Sequence, residues 1–134
     1  MHERTILGRL ATGVGQGRHF TRLDWARRQF IGKLGIDPFP GTLNVIVDGP
    51  RQMAVWADLK GRPGVRIANP GDGPDDCDAR CYPVSIEGRV DAAIVVPEVA
   101  DYAPALIEII AATSIRDALG IADGAPVRLH IEVA

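Results

Sequence analysis

Glycine and proline are unusually frequent in this chain, and they limit the folds open to it. Fifteen glycines and ten prolines interrupt the 134 residues, more than the average usage of about 7% and 5%. They form no low-complexity tract, so they mark turns between short elements. Short elements joined by many turns are typical of a β-rich fold rather than a helix bundle. The length fits one domain, and we predict a single domain over residues 1–134.

The charge balance and the apolar content exclude several classes of function. Hydrophobic residues make up 46% of the chain and the formal net charge is -2, so a core can form, but the basic excess of a nucleic-acid-binding protein is missing. No apolar stretch approaches the roughly 20 residues of a membrane span. The N-terminal sequence MHERTILGRL carries charges where a signal peptide is apolar. We therefore predict a cytoplasmic protein that binds neither nucleic acid nor membranes.

Three further features have an ordinary structural interpretation. Cys77 and Cys81 are four residues apart, and we interpret them as free thiols in a reducing compartment. The aspartate-rich segment 69–78 lacks the spacing of an EF-hand loop, so we interpret it as a solvated loop. His130 falls on the polar side of the alternating segment 127–133, which predicts a surface histidine.

The spacing of apolar residues predicts the order of the elements. A helix is expected from a Thr21 cap to Leu34, ended by Gly35, and a short helix over 114–119, capped by Thr113 and ended by Gly120. Residues 53–59 are compatible with helix or strand, and so are residues 106–111. The predicted strands are 5–11, 43–47, 81–87, 92–96, 106–111 and 127–133, with a short one at 65–67.

Three short segments carry residue types suited to phosphate chemistry. In the first, three glycines alternate with other residues, so backbone amides can approach an anion and a nearby guanidinium can pair with it. The spacing is neither GxGxxG nor a P-loop, and on spacing alone a structural turn is the commoner explanation. This segment consists of Gly13, Val14, Gly15, Gln16, Gly17 and Arg18.

The second segment is Pro40-Gly41-Thr42-Leu43-Asn44. In an extended chain Thr42 and Asn44 point the same way, because side chains alternate. A hydroxyl and an amide oxygen on one side can hold Mg²⁺, which takes its other ligands from phosphate and water. On spacing alone, such a pair is also ordinary turn chemistry.

The third segment joins an apolar run to a short helix. Glu108 interrupts that run, and a buried carboxylate is costly unless it is paired. It is therefore either outward-facing or functional. The start of the following helix offers free amides and polar side chains for phosphate or base, from Thr113, Ser114, Ile115 and Arg116.

Together these segments resemble the archaeal-type, CTP-dependent riboflavin kinases over essentially the whole chain. No single motif is decisive, but their order and spacing are specific. The resemblance rests on the glycine segment 13–18, Leu34-Gly35, Pro40-Gly41-Thr42-Leu43-Asn44, Ala93-Ile94-Val95-Val96-Pro97, Tyr102, Leu106-Ile107-Glu108-Ile109-Ile110-Ala111, Arg116 and Asp123-Gly124.

The resemblance implies a mainly β fold, a six-stranded cradle-loop β-barrel with two or three short helices. It implies transfer of the γ-phosphate of CTP to the riboflavin 5′-hydroxyl, giving FMN and CDP, with Mg²⁺. By the match, residues 13–18 and 113–116 would bind the nucleotide, Thr42 and Asn44 the metal, and Glu108 the flavin, with Glu108 also a candidate base.

One departure concerns the flavin. Ala100 stands where the family usually has a threonine that contacts it, so this chain lacks a hydroxyl at that position. The alternatives are a kinase for another small alcohol, or a nucleotide- or flavin-binding module, on the same barrel. The oligomeric state stays open.

Overall fold

A computed structural model describes residues 2–11, 23–40, 42–69, 78–98 and 103–133. Its helices are α1 (Asp24–Gln29), which continues as a π-helical turn (Phe30–Leu34), α2 (Gly49–Lys60) and α3 (Ile115–Leu119). Its strands are β1 (His2–Ala11), β2 (Leu43–Val47), β3 (Val65–Ile67), β4 (Ala79–Ile86), β5 (Val90–Pro97), β6 (Leu106–Ile110) and β7 (Pro126–Val133).

Six of these strands form a closed antiparallel barrel in the order β4-β5-β6-β2-β1-β7. The barrel closes where β4 pairs with β7, from Val84 opposite Ile131 to Ile86 opposite Leu129. The first part of that edge of β4 pairs instead with β3, from Ala79 to Cys81. Closure removes the exposed edges that an open sheet would present. The predicted six-stranded barrel with short helices is therefore confirmed.

The barrel interior is filled by alternate residues of the strands, because successive side chains point to opposite faces. In β7, Val127, Leu129 and Ile131 are buried in this core and Arg128 is exposed, as the alternating pattern predicts. Helix α2 adds Trp56 to the same core. The interior side chains from the other strands include Ile6, Leu10, Val45, Val47, Ile94, Ile107 and Ile109.

A second, smaller core lies on the outer face of the barrel, under α1 and the π-turn. Ala26 and Phe30 pack there against Ile67, Cys81 and Val95, among others. The uniformly apolar run of β5 is accordingly buried on both faces from residue 92 to 97. This explains why that strand shows no alternation of polar and apolar residues.

Hydrogen bonds fix the helix layer to the sheet. Gln29 exchanges two bonds with the backbone of Ala68, at 2.8 and 2.7 Å, and Lys33 donates to the Arg66 carbonyl at 2.7 Å. The π-turn ends at Gly35 with φ 71°, the left-handed cap that the sequence predicts. Helix α1 begins at Asp24 with Leu23 as its N-cap, so the predicted Thr21 cap was wrong; Thr21 itself lies outside the described residues.

Two ambiguous segments now have a definite structure, and a second predicted cap was wrong. Residues 53–59 belong to helix α2, and residues 106–110 form strand β6. The N-cap of α3 is Ser114, not Thr113, because Ser114 is extended and its hydroxyl accepts the Asp117 amide. Gly120 ends that helix as predicted. In the described part of the chain, no helix is long and apolar enough to cross a membrane.

Candidate active site

Three strand ends meet at one end of the barrel, where β1 and β6 finish and β2 begins. Their register places Ala11 opposite Asn44 and Asn44 opposite Glu108, which in turn faces Val95 of β5. Directly opposite residues of antiparallel strands have Cβ atoms about 5 Å apart. The two polar residues of this row, predicted separately, are thus immediate neighbours.

Asn44 and Glu108 lie on the outer face of the barrel, because Val45 and Ile107 beside them point into the core. Both are buried: Asn44 is 7% exposed and Glu108 0%. Among the described residues, Asn44 Oδ1 has no hydrogen-bond partner. An amide oxygen buried beside a carboxylate favours a cation or a hydrogen-bond donor, since either lowers the cost of burial.

The residues present fit a hard cation. Thr42 is half-buried and precedes Asn44 by two positions, so alternation directs both side chains to the same side. Neutral oxygen ligands of this kind suit Mg²⁺ when phosphate and water complete its coordination. In the described ranges, no group of three or more His, Cys, Asp or Glu side chains forms a metal site by itself.

A cavity of about 180 Å³ opens beside this row. Its lining residues come from the segment before β2, including Thr42, from the ends of β2 and β6, and from the start of α3. Asn44 and Glu108 are not among the lining residues. The cavity is lined by Phe39, Pro40, Thr42, Leu43, Ile109, Ala111, Thr113, Ser114, Ile115 and Arg116.

Arg116 connects α3 to the end of β1. Its Nη2 lies 2.6 Å from Asp123 Oδ1 and donates to the Ala11 carbonyl at 3.4 Å. The turn that carries Asp123 is itself bonded to β1, since the Gly124 amide donates to the Leu10 carbonyl at 2.7 Å. The guanidinium is therefore held beside Ala11, the last residue of β1.

The structure brings most of the described candidate residues to one region. Thr42 and residues 113–116 share the cavity, and Asn44 and Glu108 form the buried pair beside it. The candidates Gly13, Val14, Gly15, Gln16, Gly17, Arg18 and Ala100 lie outside the described residues.

Sequence reasoning missed two residues at this site. Asp123 entered only as part of the Asp123-Gly124 pair in the family pattern, although its side chain pairs with Arg116. Phe39 was given no role, although it lines the cavity. An aromatic residue between two prolines was the available indication for Phe39.

Comparison with known sequences identifies the family. The model of the family CTP-dep_RFKase, described as a domain of unknown function, DUF120, matches residues 10–131. The chain belongs to the CTP-dependent riboflavin kinase family. The match includes the end of β1, the start of β2, β6 and α3, and thus every element that forms the candidate site.

Curated members of this family are similar over most of the chain. A riboflavin kinase of Methanocella arvoryzae is 42% identical over 130 residues, 93% of this chain and 56% of the relative. One of Methanosarcina acetivorans is 42% identical over 118 residues, 87% of this chain and 49% of the relative. One of Ignicoccus hospitalis is 34% identical over 127 residues, 95% of this chain and 70% of the relative. The chain spans about half the length of the first two.

Proposed function

We propose that this chain phosphorylates riboflavin to FMN, using CTP as the phosphate donor and Mg²⁺ as the metal. The observation that carries the proposal is the buried Asn44–Glu108 pair beside the cavity that Thr42 shares with residues 113–116. Membership in the CTP-dependent riboflavin kinase family supports the identity of both substrates. A cytoplasmic location and a single-domain organisation remain predictions from the sequence.

The nucleotide would lie across two segments. The glycine segment 13–18 would surround the phosphates with backbone amides, and residues 113–116 would bind the nucleotide from the facing side. Arg116 suits a phosphate because its planar guanidinium makes paired, charge-assisted hydrogen bonds. Its contact with the Ala11 carbonyl supports this arrangement, since Ala11 precedes the first segment by two residues in the sequence.

Thr42 and Asn44 would hold Mg²⁺ through their side-chain oxygens. When bound, the ion supplies positive charge at the phosphate oxygens. The chain's contribution is to present two neutral oxygens from one extended segment. The buried Oδ1 of Asn44 supports this role, because a ligand atom that already lacks water costs little further desolvation.

Glu108 would contact the riboflavin 5′-hydroxyl. In the transfer, the hydroxyl oxygen forms a bond to the γ-phosphorus while the bond from that phosphorus to the bridging oxygen of CDP breaks in line. The Glu108 carboxylate would orient the hydroxyl and accept its proton. Its complete burial supports the role, because a carboxylate shielded from water binds a hydroxyl donor more strongly than an exposed one.

A donor-by-acceptor assay tests the proposal. Purified protein is incubated with riboflavin and Mg²⁺ and with CTP, UTP, ATP or GTP in turn, and FMN is measured by chromatography. We expect FMN with CTP and at most traces with ATP. Absence of FMN with every donor, in protein that binds CDP, would favour a binding module or a kinase for another small alcohol.

The flavin site has its own test. Restoring the family's hydroxyl through Ala100→Thr should lower the KM for riboflavin without changing the KM for CTP. An unchanged riboflavin KM would mean that Ala100 does not limit flavin binding.

A further inference from the structure

Phe39 is an exposed aromatic residue on the rim of the cavity. It is 49% exposed, the largest exposure among the large hydrophobic side chains described. Thr42 and Ser114 line the same cavity. An aromatic ring left half in water at a concave site gains free energy when a second flat ring covers it.

The backbone around Phe39 is fixed before any ligand arrives. Pro38 and Pro40 on either side restrict φ, and Pro38 is buried. The Phe39 amide donates to the Ala111 carbonyl at 2.7 Å, which fastens the segment to the end of β6. A side chain on such a rigid segment loses little conformational freedom on binding, so it can serve as a fixed platform.

We propose that Phe39 stacks on the base of the bound nucleotide, an inference that rests on the proposed function. The base would sit on the apolar floor formed by Leu43, Ile109 and Ala111, with one face against Phe39. Its edge would meet the polar groups at the start of α3.

The location favours the base over the flavin ring. Residues 113–116, the proposed nucleotide segment, line the same cavity as Phe39. Glu108, the proposed flavin contact, is fully buried on the outer face and does not line this cavity. The cavity is also small, about 180 Å³, which suits a single ring better than the three fused rings of a flavin.

Stacking contributes affinity but little discrimination, because every base has a π-face. Base choice depends instead on hydrogen bonds to the edge of the base. Phe39 should therefore strengthen the binding of all nucleotides to a similar extent. The preference for cytidine should depend on groups such as Thr113 and Ser114.

Calorimetric titration of CDP, UDP and ADP in the presence of Mg²⁺ tests this inference. Phe39→Ala should weaken CDP binding roughly 5- to 150-fold, the range found for loss of base–aromatic stacking. UDP and ADP, where they bind measurably, should weaken by a similar factor, and Phe39→Tyr should bind CDP like the parent. Ile31→Ala is the matched control, because Ile31 is 45% exposed and does not line the cavity.

Three outcomes would overturn the inference. CDP affinity could be unchanged in Phe39→Ala, it could fall as much in Ile31→Ala, or the loss could affect riboflavin binding instead. Failure of the proposed function can be told apart from failure of this inference. If the parent protein forms FMN from CTP and Phe39→Ala binds CDP normally, only the stacking role is refuted. If the parent protein makes no FMN, but Phe39→Ala binds CDP more weakly than the parent does, only the proposed kinase activity is refuted.

Discussion

Replacing Asn44 with leucine should separate stability from function. The Asn44 side chain is 7% exposed, and its Oδ1 has no hydrogen-bond partner among the described residues. A buried amide oxygen left unsatisfied costs about 1–3 kcal/mol. Leucine has the same branching at Cγ and no polar atom, although its greater volume offsets part of the gain. We expect Asn44→Leu to be about 1 kcal/mol more stable than the parent, which raises the Tm by about 4 °C.

The same substitution removes a proposed metal ligand. We expect kcat/KM for CTP in the presence of Mg²⁺ to fall at least about 100-fold, since a bound divalent ion supplies several kcal/mol of charge stabilisation. CDP with Mg²⁺ should stabilise the parent by about 2.7 kcal/mol when the CDP concentration is 100 times the Kd, and this stabilisation should be smaller in the variant. Ile46→Ala is the control, because Ile46 lies on the same face two residues later and is 42% exposed.

Thermal unfolding with and without CDP and Mg²⁺, together with FMN formation, measures both effects. If Asn44→Leu is less stable than the parent by 1 kcal/mol or more, the buried Asn44 oxygen does not destabilise the folded state. If it keeps full Mg²⁺-dependent turnover, Asn44 is not a metal ligand. Either result refutes the reasoning from the orphaned oxygen.

Other predictions follow from single contacts. Asp123→Asn keeps an acceptor for Arg116 but removes the charge, and should weaken CDP binding about fivefold by calorimetry; unchanged affinity contradicts the positioning role. Burial raises the pKa of the Cys81 thiol from 9.0 to about 12, so its peptide should resist iodoacetamide in the native protein at pH 9. Because the thiol pKa is higher in the folded chain than in the unfolded chain, Cys81 stabilises the fold below pH 9 and loses that contribution as the pH rises towards 12. The free energy of unfolding of Cys81→Ala should therefore fall less steeply with pH over that range. A Cβ at Gly8 would overlap Val45 Cγ1 and lie 2.7 Å from a backbone oxygen of β2, so Gly8→Ala should cost about 1–3 kcal/mol in urea unfolding; parent-like stability would mean that β1 and β2 can separate.

Local patterns in the sequence predicted the strands and the glycines that end two helices, because each depends on residues close together in the chain. The alternation of 127–133 and the left-handed Gly35 are examples, and both are confirmed. Helix α2 was ambiguous, since its buried side chains are few: Trp56 and Leu59. Its better indication was Pro50 in the first turn, where a missing amide hydrogen does not matter.

The arrangement of the site depends on register, which local patterns do not determine. That Asn44 faces Glu108 follows from the pairing of β2 with β6, two strands far apart in sequence. A shift of one residue in that pairing would have turned one of the two side chains away from the other. Family resemblance assigned both residues to one site, whereas composition and spacing left each with an ordinary explanation.

The inner face of the barrel forms the core, whereas the outer face carries the polar residues of the candidate site. This division limits which substitutions can alter ligand binding. The interior of β2 and β6 is apolar throughout, so closure of the barrel does not depend on the row of Asn44 and Glu108. Those polar residues lie outside, beside the smaller core under α1, where Val95 is their apolar neighbour. A substitution there alters ligand contacts while the interior packing stays intact. We therefore expect substrate preference in this barrel to change through the outer row and the polar residues of the cavity, such as Thr113 and Ser114, with little effect on folding.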